Sequence, residues 1–219
     1  MRFFFLIFIA LFPFQAFTQQ FTKLVIDENI SLAIPDNYSK KDTLGTTVFS
    51  ARIDYGLVMI VIVPTKLEGV KVKDEKALLK TYNGFRTGLL GSSKGKMVSQ
   101  ETLDINGLKL DKISFTVKTD TQTVVKDCLT LLAADNIYSI QFWQVDWAIG
   151  SLAKQKDSLF SSIKINPALS SQDQFNYSSK EETFERSVKI GELIGSLLTI
   201  AIIIFFVVWL IRKLSKKKA

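Results

Sequence analysis

The chain has 219 residues, with 28 Lys and Arg against 21 Asp and Glu, no His and a single Cys. Of its formal charge of +7, all but one unit sits at the ends, on Arg2 and on Arg212, Lys213, Lys216, Lys217 and Lys218. That leaves the middle near neutral, without the basic stripe a nucleic-acid-binding domain needs, and a chain without His has no Ser-His-Asp or Cys-His catalysis.

Residues 1–18 read as a signal peptide. Arg2 is a minimal positive region, Phe3 to Phe12 is an apolar run ended by Pro13, and Ala16 and Thr18 offer small residues for cleavage before Gln19. Ten helical residues reach about 15 Å, half of a hydrocarbon core of about 30 Å. The alternative is an uncleaved helix lying in the membrane interface.

Residues 19–165 read as one folded domain. "ISLAIP" alternates at Ile30, Leu32 and Ile34 and stops at Pro35. "TTVFSARI" and "GLVMIVIVPT" form a hairpin through Asp54-Tyr55-Gly56, and the continuous run Leu57 to Val63 fits a strand buried on both faces. The period then becomes helical, with Leu78, Tyr82, Phe85 and Leu89 on one face and Asp74 as N-cap. Strands resume around an Asn106-Gly107 turn. They continue through "TVVKDCLTLLAA" and "NIYSIQFWQV", joined by a turn at Asp135-Asn136. A last amphipathic helix shows Ile149, Leu152, Leu159 and Ile163 on one face. The expected fold class is α+β: a mainly antiparallel sheet of about six or seven strands with the two helices over its faces.

Residues 166–189 are polar and read as a linker or stalk, with Ser179 and Glu182 at capping-box spacing. Residues 190–211 read as a transmembrane helix. Leu193 to Ile211 carries no charge and would span about 28 Å, with Trp209 near its end and the basic tail 212–219 directly after. Cations beside a span stay cytoplasmic, so Arg212, Lys213, Lys216, Lys217 and Lys218 put the C-terminus inside and the domain outside. Gly191, Gly195 and Thr199 recur every four residues, a spacing that would let two anchors pair as a homodimer. Asn29, Asn37 and Asn176 each begin Asn-x-Ser, and Lys216 to Lys218 resembles a dilysine signal.

The phrases "ISLAIPDNY", "LDINGLKLDKISFTV" and "LFSSIKI", with a hairpin, a helix and two long strands between them, resemble the PsbP-like α/β/α sandwich family over about Ile30 to Ile165. That resemblance implies the fold and a habit of acting as a binding or assembly module at membranes. It carries over no site residues.

Chemistry-bearing residues are few. Cys128, inside an apolar strand, reads as a buried small hydrophobe, with pairing between chains as the alternative. "GLLGSSKGK" lacks phosphate-loop spacing and reads as a helix stop and turn. One cluster stands out, "YSIQFWQVDW". Trp143 and Trp147, with Tyr138, form a candidate partner or ligand patch; the alternative is that helices cover both strand faces and the rings are core. No catalytic residue, cofactor site or metal site is assigned. The expectation is a non-enzymatic, single-pass binding or assembly module in the cell (inner or plasma) membrane. It meets the bilayer through residues 190–211 and an envelope protein partner through its periplasmic domain. The alternative is an envelope enzyme using carboxylates or a bound metal.

Overall fold

The computed structural model describes residues 20–65, 72–175 and 188–195. Five strands come first: β1 (Phe21–Val25), β2 (Ile30–Pro35), β3 (Ser39–Thr43), β4 (Thr46–Ile53) and β5 (Gly56–Pro64). Helix α1 (Glu75–Ser93) follows, then β6 (Lys96–Ile105), β7 (Leu108–Lys118), β8 (Thr123–Ala133) and β9 (Asn136–Val145). Helix α2 (Ile149–Ser161) and the short β10 (Lys164–Ile165) complete the order, with single 3-10 turns at Asp146–Ala148 and Ser171–Gln174.

The expected α+β sheet is present. Seven strands run in the order β3-β4-β5-β9-β8-β7-β6, and every pairing is antiparallel. A second sheet, β1-β2-β10, was not foreseen as separate. Its strands are short, and their alternation looks the same whichever sheet they join. β3, "SKKDT", is wholly exposed; an edge strand with no buried face leaves no apolar period to detect. The expected turn at Asp135-Asn136 falls one residue earlier, where Ala134 and Asp135 take the positive φ values of 47° and 63°. Asn106 and Gly107 turn as expected, at φ 55° and 81°.

Each face of the large sheet has its own core. One face packs under α2 and the small sheet, around Leu32, Ile34, Phe49, Ile60, Leu131, Phe142, Leu152 and Leu159. The other packs under α1, around Val61, Leu78, Phe85, Leu89, Phe115 and Trp143. Asp74 caps α1 by accepting from the Ala77 amide at 2.8 Å, as the sequence suggests. In α2 the apolar stripe is shorter than expected: Leu152 and Leu159 are buried, Ile149 is exposed at the start, and Ile163 lies past the helix end.

Two corrections concern the C-terminal part. Residues expected to begin a linker are built into the domain. The Gln174 side chain is buried, accepts from the Lys109 amide and donates to the Lys109 and Leu132 carbonyls, acting as a rung between β7 and β8. Ser170 and Asp173 cap that turn. The segment looked like linker because its stabilising contacts are polar, and polar composition is also what linkers have. The expected Ser179 and Glu182 cap lies outside the described residues.

The helical residues 188–195 lie along α1. A Cβ on Gly191 would meet the Phe85 carbonyl and would stand 2.9 Å from Gly88 Cα. Gly195 meets Ser92 in the same way. The contacts advance together, Gly191 to Gly88 and Gly195 to Ser92, so the two helices run parallel. Backbones approach this closely only where side chains are missing. The Gly191 and Gly195 face that invited a second copy is therefore filled by α1 of the same chain, and Ile190 and Ile194 join the core below it; Thr199 lies outside the described residues. So do the signal segment 1–18, the span beyond Gly195 and the tail 212–219. Among the described residues no helix is long and apolar enough to cross a membrane.

Candidate functional site

The antiparallel register divides the domain into two ends. The Tyr82 hydroxyl donates to the Lys109 carbonyl, at the start of β7, while Gly95, just past α1, lies against Phe115, near the far end of β7. Helix α1 therefore climbs from the lower end to the upper end, and residues 188–195 climb beside it. The upper end also carries the β4–β5 turn and the 3-10 turn that follows β9. There Tyr55 and Trp147 meet edge-on, ring centroids 4.5 Å apart, and are 50% and 64% exposed. The Tyr55 carbonyl accepts from the Val145 amide at 3.2 Å, tying the turn to the end of β9. Ile149, 42% exposed, follows on the same connection.

Beneath the two parallel helices the sheet carries an internal polar stripe. The Trp143 indole donates to Gln141 Oε1 (3.0 Å), and Gln141 donates to Ser139 Oγ (2.8 Å). Ser139 Oγ lies 3.4 Å from Cys128 Sγ. Lys126 heads the stripe. It stands in register between Phe115 and Trp143, with Nζ 4.0 Å from the Trp143 centroid and 5.7 Å from that of Phe115. Its Nζ has no hydrogen-bond partner among the described residues. Burial drives the amine down from 10.5 to about 7, because a charge without water or a counter-ion is costly. Burial likewise pushes the Cys128 thiol up to about 11; the thiol is fully buried, as expected of a small core residue. This stripe is enclosed, and nothing in its geometry opens to a ligand.

The lower end carries a cleft of about 530 Å³. It forms where the β6–β7 hairpin extends beyond the end of α2. Leu103, Ile105 and Leu129 form one wall, Phe160, Ile163 and Ile165 the other, and Lys112 and Lys164 stand at its rim. Such concave, mostly apolar sites with a few polar groups are the usual form of a binding site.

Several carboxylates of the described residues are held in ion pairs. Asp111 pairs with Arg86 at 2.9 Å, Asp127 with Lys156 at 3.2 Å and Asp104 with Lys109 at 2.8 Å. Desolvation raises Asp111, and the Arg86 guanidinium opposes that shift. Among the described residues no three His, Cys, Asp or Glu converge as metal ligands.

Solved structures to which this chain is similar include PsbP from the cyanobacterium Synechocystis (9% identity, TM-score 0.49, covering 70% of this chain and 97% of that one). The yeast Ran-binding protein Mog1p is another (12%, TM-score 0.41, 68% and 96%). A third is LpqN of Mycobacterium tuberculosis, described as involved in cell envelope biogenesis (10%, TM-score 0.35, 68% and 91%). No family model matches the chain, and no curated protein matches it in sequence.

The structure separates the three patch residues. Trp143 is 3% exposed and lies under α1. Tyr138 faces the opposite core, its hydroxyl donating to Asp27 Oδ2 at 2.6 Å. Only Trp147 reaches solvent. Residues 138 and 143 differ in parity, so a strand must point them to opposite faces, and the helices cover both. What the sequence missed is Tyr55 as the partner of Trp147, the buried Lys126 and the lower cleft. Lys126 had a signal: it shares strand parity with Cys128 and Leu132, both core residues. The cleft had none, because β6, β7, α2 and β10 meet only in the folded chain.

Proposed function

We propose that this protein is a single-pass, membrane-anchored binding or assembly module. Its domain lies outside the cytoplasm and takes an envelope protein partner in the lower cleft. The observation that carries the binding reading is the cleft itself, an apolar trough of about 530 Å³ with Lys112 and Lys164 at its rim. It suits a partner segment with two or three apolar side chains and an acidic residue beside them. The anchor reading rests on the uncharged run Leu193 to Ile211 and the cations after it. The non-enzymatic reading rests on the same carboxylates being engaged in ion pairs and caps, and on a chain without His.

The test is crosslinking and affinity isolation from membranes, comparing the wild type with Ile105→Asp and Lys164→Glu. Both positions are exposed, so the variants are expected to fold. A protein held by the wild type and lost from both variants, with unchanged membrane insertion, supports the cleft. Identical captured sets in all three would refute it.

A further inference from the structure

We propose that the upper end of the domain rests on the bilayer, with Tyr55 and Trp147 seated in the headgroup interface. This deepens the anchor reading and rests on it. Three observations converge. Residues 188–195 climb α1 and reach the upper end, where Gly195 meets Ser92. The sequence continues from there as the uncharged, mostly apolar run Ser196 to Ile211. The Tyr55 and Trp147 pair is exposed at that same end.

Length makes the apposition close. Ile190 and Ile194 are buried in the domain core, so the first turn of the expected span is not available to lipid. The residues left, 196–211, would span about 24 Å as a helix, less than a hydrocarbon core of about 30 Å. A short span is met by local thinning and by drawing its flanks into the interface, and here the flank is the domain. In sequence, the uncharged run follows Gly195 directly, whereas the stalk expected from the sequence would have set the domain apart from the span. Trp and Tyr are the residues that settle at this depth, with the ring in the apolar boundary and the polar atom toward water. Lys94, Lys96 and Lys118 stand at the same end and offer cations to anionic headgroups. The cleft, at the lower end, then faces away from the membrane and is open to a partner.

The test uses the full chain reconstituted in phosphatidylcholine and phosphatidylglycerol vesicles, with bromine on the upper acyl carbons as a contact quencher. Trp209→Phe leaves Trp143 and Trp147 as emitters; Trp147→Phe with Trp209→Phe leaves only the buried Trp143. Brominated lipid is expected to cut the Trp147 contribution, the difference between the two variants, by about twofold or more, as for a ring at the interface. A difference untouched by bromine, in protein that floats with the vesicles after alkaline washing, overturns the orientation and leaves the anchor standing. Protein that fails to float sinks the anchor reading and this inference together.

Discussion

Replacing Lys126 with Met asks how much a buried amine costs this fold. The folded environment lowers the lysine from 10.5 to about 7, chiefly by desolvation. At about 1.4 kcal/mol per pH unit, that difference corresponds to roughly 5 kcal/mol below pH 7 and slightly less at pH 7, where half the folded amines are neutral. Met keeps the length and flexibility of the stem and needs no hydration. The faces of Trp143 and Phe115 attract the ammonium and offset part of the penalty, by about 1–2 kcal/mol. The expected gain for Lys126→Met at pH 7 is therefore roughly 2–4 kcal/mol.

The pH dependence supplies the sharper readout. The folded chain releases this proton near pH 7, whereas the unfolded chain keeps it up to 10.5. Between those values the unfolded state binds more protons, so wild-type stability receives a rising contribution as pH climbs. Below pH 7 both states are charged and the penalty is constant. The advantage of the variant is thus largest at or below pH 7 and shrinks toward pH 10.5. Urea unfolding of the detergent-solubilised full chain at pH 7, 8, 9 and 10, followed by Trp emission, measures it. The difference between wild type and variant removes most of the contribution of the buried Cys128 thiol and the tyrosines, which titrate in both. A variant less stable than wild type at pH 7, or a gap that does not change with pH, would refute the reasoning.

Two further predictions concern the helix pair and the Gln174 rung. Gly88→Leu places carbon where the Val188 carbonyl and Gly191 Cα already lie, and should detach residues 188–195 or lose about 1–3 kcal/mol, seen as faster amide exchange at Ile190 and Ile194. Gly91→Ala is the control: nothing stands within 4 Å of the added methyl, so it should gain about 0.5–1 kcal/mol. Gln174→Ala leaves the Lys109 amide and two carbonyls without this partner and should cost about 1–3 kcal/mol, read as a lower urea midpoint; an unchanged midpoint would show that water replaces the amide freely.

What the sequence determined by itself was local. Period-two alternation, the Asp74 cap and the Asn106-Gly107 turn are written in neighbouring residues, so the large sheet and α1 could be read directly. The absence of His, the apolar run from Leu193 and the basic tail are likewise properties of composition. Tertiary structure decided which faces are covered. Trp143 and Trp147 look equally exposed in one dimension, yet one lies beneath two helices and the other stands beyond the last strand residue. Lys126 is core because Phe115 and Trp143 flank it from other strands. The segment 166–175 belongs to the domain because Gln174 bridges two strand edges, and no composition rule separates such a polar clamp from a linker. Gly191 and Gly195 announce a close helix contact in the sequence; that α1 fills it depends on Gly88 and Ser92, a hundred residues away in the chain and adjacent only after folding.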